Sequence, residues 1–240
     1  MRLCVIAARS GSKGLPGKNI RHFAGRPLLA HTVAQARASG CFDVVALSSD
    51  SARYREIGAE AGATLLIERP DTLAGDDVAK APVLHHALQV AERQLGAKVE
   101  LLVDLQPTSP LRRAGDIPGA VALLEQDDTL LNVVSVSPTR ASPYFTLAEQ
   151  RPDGTLSPCK ERPVRATRRQ DLPLVYQLNG SIYAWRRDAI VRELPALTER
   201  TGCWLMPEEC AFDIDSALEF ELAAFVAERH FGWARTVHDG

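Results

Sequence analysis

Short apolar runs and longer amphipathic stretches alternate along the chain. Leu3 to Ala8 is a continuous apolar run, as expected for a strand covered on both faces. Pro27 opens a helical stretch to about Ala38, because a proline's missing N–H is harmless in a first turn. Val44 to Leu47 reads as a second strand, ending in Ser48-Ser49-Asp50. A helix from about Ser51 to Ala61, a strand from Thr64 to Ile67 and a loop through Asp77 follow. An amphipathic helix over Ala79 to Leu95 leads into a strand over Val99 to Leu105. A further helix (about Asp116 to Glu125) precedes a strand over Leu131 to Val136. Strands alternating with helices predict the α/β class: a Rossmann-like three-layer sandwich with a mostly parallel sheet. Ligands gather at the carboxyl ends of such strands, so the polar segments after Ala8, Leu47 and Leu105 should converge on one crevice.

The pattern loosens between Pro138 and Pro173, where Pro143, Pro152, Pro158 and Pro163 interrupt it. Tyr144-Phe145-Thr146-Leu147 is strand-like, which predicts an inserted β excursion rather than a structureless loop. Regular patterning resumes at Ser181 to Trp185 and closes with a helix from about Ser216 to His230. The whole chain, 1–240, reads as one domain containing that insert.

Composition narrows the partners. The net charge of −2 provides no basic field to hold a nucleic-acid backbone. The five cysteines form no C-x-x-C pair of the zinc or thiol-redox kind. The apolar run after Arg2 is too short for a signal-peptide core, and no stretch is long enough to span a bilayer. The expectation is a protein without nucleic-acid or membrane partners, in a reducing cytoplasm.

The loop after the first strand, Arg9-Ser10-Gly11-Ser12-Lys13-Gly14-Leu15-Pro16-Gly17-Lys18-Asn19, concentrates cations, hydroxyls and glycines. Glycines let backbone N–H groups approach an anion, while Arg9, Lys13 and Lys18 would neutralise a polyphosphate. It is not a Walker A loop, since the spacing before Gly17-Lys18 is wrong and Asn19 follows the lysine. Nor is it the dinucleotide fingerprint, because its glycines run G-x-x-G-x-x-G. An ordinary solvated loop is the competing interpretation.

Near the end, Phe212-Asp213-Ile214-Asp215-Ser216 sets two carboxylates at i and i+2. On an extended segment Asp213 and Asp215 share one face and Ile214 points into the core. Such a pair suits Mg²⁺, which is held by one or two carboxylates plus phosphate oxygens and water. Helix capping by Asp215 or Ser216 is the alternative.

These segments together resemble the acylneuraminate cytidylyltransferase family. The pattern is similar over Ala8-Arg9, Ser12-Lys13-Gly14-Leu15-Pro16 and Lys18-Asn19, then over Ser48-Ser49-Asp50, Arg69-Pro70 and Asp76. It continues through Leu105-Gln106-Pro107-Thr108-Ser109-Pro110-Leu111-Arg112, Asn179-Gly180-Ser181-Ile182-Tyr183 and Asp213-Ile214-Asp215. The resemblance implies transfer of CMP from CTP to the anomeric hydroxyl of an acidic nine-carbon sugar, with release of pyrophosphate. It implies that Ala8, Arg9, Ser12, Lys13, Lys18, Asn19 and Arg69 bind the nucleotide, and that Asp213 and Asp215 bind Mg²⁺. Arg9, Lys18, Asp213 and Asp215 would be catalytic. Gln106 and Tyr183 would face the sugar. The family is dimeric, which makes 138–175 the inserted dimerisation segment of a homodimer, with Arg169 acting across the interface.

Departures from the family pattern fall on the sugar side. Tyr144-Phe145 stands where a lysine is typical, Gln177-Leu178 where Arg-Pro precedes Asn-Gly, and Lys80 where a serine is typical. The rival with the same chemistry is the Kdo cytidylyltransferase group, which has arginine at the position of Lys13 and lacks Asn-Gly-Ser-Ile-Tyr. A rival of another class is a non-catalytic nucleotide-binding regulatory module.

Overall fold

A computed structural model describes residues 1–12, 14–161, 168 and 171–234. In chain order the strands are β1 (Arg2–Ala7), β2 (His22–Phe23), β3 (Arg26–Pro27), β4 (Val44–Ser49), β5 (Leu65–Glu68), β6 (Leu101–Leu105), β7 (Asn132–Pro138), β8 (Ala148–Gln150), β9 (Leu156–Pro158), β10 (Tyr176–Arg186) and β11 (Thr201–Leu205). The helices are α1 (Leu28–Ala38), α2 (Ala52–Glu60), α3 (Lys80–Leu95), α4 (Asp116–Gln126), α5 (Arg187–Val191) and α6 (Ala217–Phe231).

Among the described residues one sheet has seven strands in the order β5-β4-β1-β6-β10-β7-β11. All its pairings are parallel except those of β10, which runs antiparallel to both β6 and β7. Successive side chains of a strand point to opposite faces, and the core divides accordingly. Cys4, Ile6, Val45, Leu47 and Val103 pack on one side against Leu29 and Val33 of α1, Ile57 of α2 and Val121 of α4. Leu3, Val5, Ala46, Leu102 and Trp185 pack on the other against Leu84 and Leu88 of α3 and Ile190 of α5. Each fully buried Leu, Ile or Val contributes about 1.5–3 kcal/mol of transfer free energy. The result is the three-layer α/β sandwich that the alternation predicts.

A third apolar cluster positions the site. Leu15 from the glycine-rich loop, Leu111, Ile214 and Phe220 of α6 bury together with Phe23 and Leu28. The loop after β1 and the segment before α6 are thus joined through hydrophobic side chains, although about two hundred residues separate them.

Several expectations shift in detail. Pro27 is the N-cap of α1 rather than its first helical residue. Ser216, not Asp215, caps α6 in a capping box: its hydroxyl accepts from the Glu219 N–H at 3.2 Å while the Glu219 carboxylate accepts from the Ser216 N–H at 2.8 Å. Asp215 is therefore not used as a cap. Tyr144 to Leu147 is not a strand. The Ser142 carbonyl accepts from the N–H groups of Phe145, Thr146 and Leu147 at 3.2, 2.9 and 2.9 Å, which folds these residues into a turn. The β excursion of the insert is instead the small β8–β9 hairpin, with Ala148 opposite Pro158. No helix among the described residues is long and apolar enough to cross a membrane.

Candidate active site

A cavity of about 620 Å³ opens at the carboxyl ends of β1 and β6. Arg9, Ser12, Lys18, Asn19, Arg69, Gln106, Asp213 and Asp215 all line it, which brings together eight residues expected from the sequence. Ala8 lies just behind this wall: it is fully buried and its N–H donates to the Ser48 carbonyl at 3.0 Å, while Ala7 faces the cavity. Tyr183 lines a second cavity of about 410 Å³, and Lys80 and Gln106 line both. Lys13 and Arg169 lie outside the described residues.

The loop is fixed to the carboxylates at three points. Leu15 shares the apolar cluster with Ile214. Gly14 presses so closely on the backbone of Asp215 that a Cβ there would stand 2.4 Å from its carbonyl oxygen. Lys18, which begins a short 3₁₀ turn after the left-handed Gly17 (φ 66°), donates to the Asp215 carboxylate at 2.5 Å and to the Ile214 carbonyl at 3.0 Å. The third polar segment joins them, because the Ile214 N–H donates to the Thr108 carbonyl at 2.8 Å.

Among the described residues, the cations of the crevice have defined holders. Arg9 pairs with Asp76. Arg69 is 5 % exposed and donates to the Ser48 carbonyl at 2.8 Å and the Ser48 hydroxyl at 3.3 Å. Asn19 is oriented by a 3.2 Å bond from its amide to the Arg9 carbonyl, and its Oδ1 is buried without a partner. Arg112 plays no part in lining the cavity: its guanidinium donates to the carbonyls of Gln106 and Ser181 at 2.6 and 2.9 Å and to the Gln35 side chain at 2.9 Å. It shapes the Gln106 turn from below. Asp50 is a similar support. Burial would raise its pKa, but hydrogen bonds from the Ser10 side chain and N–H outweigh that and hold it below the usual range.

The two aspartates differ in environment. Asp215 is 71 % exposed at its side chain, while burial raises the pKa of Asp213 against an opposing hydrogen bond with the Thr108 side chain. Asp213 Oδ1 is buried without a hydrogen-bond partner. Its Oδ2 approaches Gly180, where a Cβ would stand only 3.0 Å away. Gly180 has φ 67° and lies where the β7–β10 register shifts between Leu178 and Tyr183. This bulge is set by Asn179, whose Oδ1 accepts from the Ser135 hydroxyl at 2.6 Å and whose Nδ2 donates to Ser137 at 3.0 Å. Asn179-Gly180 thus clears space for the Asp213 carboxylate. Tyr183 sits between the two cavities electrostatically; burial first, then Asp104 and Asp213, push its phenol up to about 12.

A family model described as Cytidylyltransferase matches residues 3–231. The chain belongs to the cytidylyltransferase family. Its relatives include the CMP-N,N'-diacetyllegionaminic acid synthase of Campylobacter jejuni, 35 % identical over 93 % of this chain and 94 % of that protein. The N-acylneuraminate cytidylyltransferase of Streptococcus agalactiae is 34 % identical over 91 % of this chain and 51 % of its own length. Among solved structures, a CMP:2-keto-3-deoxy-manno-octonic acid synthetase complexed with CTP superposes with TM-score 0.69 over 95 % of this chain and 98 % of that one. At 17 % identity that likeness shows the shared fold. The protein is accordingly a nucleotidyltransferase.

Sequence reasoning missed several participants. Gly14 and Gly180 matter through the atoms their missing Cβ makes room for, and no pattern of neighbours in sequence reveals that. Thr108 was legible only as part of a polar turn. Asp76 was named only as part of the family-like pattern, with no role, and Asp104 becomes visible once its cation partner is placed.

Proposed function

We propose that the chain transfers CMP from CTP to the anomeric hydroxyl of a nonulosonic, sialic-acid-like sugar and releases pyrophosphate. The observation that carries this is the meeting of two unlike cavities. One is lined by Arg9, Lys18, Arg69 and two aspartates; the other has mainly apolar walls; Lys80 and Gln106 are common to both. A polyphosphate suits the first, and a sugar bearing acyl groups suits the second. The names of the relatives agree with that pairing, and N,N'-diacetyllegionaminic acid heads the acceptors to be tried.

In this reading Arg9, Ser12 and Lys18 hold the triphosphate, with Lys13 as a further member of the loop. Asn19 and Arg69 seat the nucleoside, and Gln106 and Tyr183 orient the acceptor. The anomeric oxygen bonds to the α-phosphorus as the bond to the pyrophosphate oxygen breaks. Such in-line displacement depends on positioning and on fixed cations facing the charge that builds on the leaving group.

Asp213 and Asp215 fit Mg²⁺. The unpartnered, buried Asp213 Oδ1 is an oxygen in want of a positive ligand. No group of three or more His, Cys, Asp or Glu gathers among the described residues, so phosphate oxygens and water would complete the shell. When bound, the ion supplies charge neutralisation at the phosphates.

The segment 138–175 is read as the contact between two copies in a homodimer. Leu147, Leu156 and Leu174 expose apolar surface along it, which a second copy would cover. A monomer by light scattering at micromolar concentration would refute this part.

The deciding experiment is pyrophosphate release from CTP and Mg²⁺ with a panel of acidic sugars. Release with a nonulosonic acid is expected. Release with the eight-carbon Kdo alone would transfer the protein to that group. CTP binding with no release from any acceptor would make it a non-catalytic module.

A further inference from the structure

At the boundary of the two cavities an ion pair runs against local preference. Lys80 is the first residue of α3, where the helix dipole disfavours a cation, and Ala79 brings no capping hydrogen bond. Lys80 Nζ lies 3.2 Å from Asp104 Oδ2. Asp104 is 1 % exposed, and its Oδ1 has no hydrogen-bond partner. Lys80 keeps 39 % of its side-chain surface exposed, and a pair open to water on one side contributes little to stability. Stability therefore does not account for it.

Position does. Asp104 faces Tyr183 directly in the β6–β10 pairing, and Gln106 follows at the cavity edge. Lys80 is the one cation among the described residues that line the second cavity. The other charges there are Asp104 itself and Glu193, which is bonded to His85 at 2.9 Å. Leu84, Ile190 and Leu194 offer nothing to an anion, and Trp185 offers only a neutral donor, its buried and unpartnered Nε1–H. In a 2-keto acid sugar the carboxylate is attached to the anomeric carbon, one bond from the reacting hydroxyl. That hydroxyl must reach the nucleotide cavity, so the carboxylate must lie where the cavities meet.

We propose that Lys80, held in place by Asp104, pairs with the carboxylate of the acceptor and so restricts the enzyme to acidic sugars. The assignment rests on the acceptor reading above. Asp104 is a positioning residue; Lys80 is the group that touches substrate.

The test measures pyrophosphate release with the best acceptor of the panel and with its methyl ester, at varied CTP. The wild type should favour the acid over the ester by about 10- to 100-fold in kcat/KM, the worth of one charge-assisted hydrogen bond. Lys80→Met should raise the acceptor KM, leave the CTP KM alone and bring the acid-to-ester ratio near one. Lys80→Arg should keep a preference. Because Lys80→Met strands a buried carboxylate, the paired change Lys80→Met with Asp104→Leu provides a folded control and should lose the same discrimination. An unchanged ratio in either folded variant, or a change confined to the CTP KM, overturns the role of Lys80. Failure of the wild type to use any nonulosonic acid overturns the acceptor reading, and this assignment with it.

Discussion

Placing a methyl group on Gly14 tests whether the contact between loop and carboxylate segment sets the geometry of the site. An ideal Cβ at Gly14 would stand 2.4 Å from the Asp215 carbonyl oxygen. A tolerated carbon–oxygen contact is about 3.3–3.6 Å, so the two backbones must part by roughly 1 Å. Neither atom is the end of a flexible side chain, and the motion cannot be absorbed by a rotamer change. Gly14 needs no left-handed conformation, so Gly14→Ala carries no dihedral penalty, and stiffening the unfolded chain returns about 0.4–1 kcal/mol. Against this, overpacking costs about 1–3 kcal/mol. The net loss of stability should be small, about 1–2 kcal/mol, or a few degrees in Tm. The catalytic loss should be larger, because a displacement of about 1 Å in a positioning element can cost about 100-fold. Steady-state pyrophosphate release beside thermal unfolding separates the two. A folded Gly14→Ala protein with wild-type kcat/KM would show that the contact does not position the site.

Lys18→Ala should raise the CTP KM about tenfold or more, since a charge-assisted contact to phosphate is worth about 1.5–3 kcal/mol; an unchanged CTP dependence removes Lys18 from the triphosphate. Asp213→Asn should lower turnover by at least about 100-fold while leaving the Tm near the wild type, and wild-type rates at limiting Mg²⁺ would refute the metal assignment. His31 predicts a pH effect unrelated to catalysis. Burial lowers its pKa from 6.5 to about 4, opposed by a hydrogen bond to the Phe23 carbonyl, and its ring stacks on Trp233 at 4.5 Å. The unfolded chain therefore takes up a proton before the folded one. The stabilisation is complete above pH 6.5 and is lost as the pH falls toward 4, by about 3 kcal/mol in total. Denaturant unfolding between pH 7 and 4 should show that slope in the wild type, and His31→Gln should flatten it. Equal slopes in both would assign the acid sensitivity to other groups.

The strands that could be read ahead are those buried on both faces. Leu3 to Ala8 and Val44 to Leu47 need no partner to announce themselves, since every residue is apolar, and Val99 to Leu105 is apolar but for Glu100 and Asp104. β11 hid because an edge strand of five residues with half-exposed Thr201, Gly202 and Trp204 has no distinctive period. α5 is five residues long, too short for a helical repeat to register. Tyr144 to Leu147 misled because local hydrogen bonding to Ser142 defeated the β preference of its side chains. The antiparallel course of β10 was also invisible, because strand direction depends on how Pro138 to Tyr176 returns and not on composition. In the site, charge and glycine content revealed the loop and the aspartate pair. The partners that hold them lie on other segments, and only folding identifies them.

That division has a physical basis. The ligand-facing side chains stand on a loop and an irregular segment, where hydrogen-bond periodicity imposes no geometry. Their placement comes instead from apolar neighbours: Leu15, Leu111 and Ile214 enter one cluster, and the polar residues beside them follow. Ile214 is fully buried between Asp213 and Asp215, so the same alternation that drives it inward turns both carboxylates toward the cavity. Lys18 then meets Asp215, and Arg9 meets Asp76, without any ligand to organise them. Side chains already ordered lose less entropy on binding, by about 0.5–1.5 kcal/mol each. The accuracy of the polar site is in this sense a property of the hydrophobic cluster beneath it, and a cavity made at Ile214 should disturb the aspartates as surely as a substitution of either one.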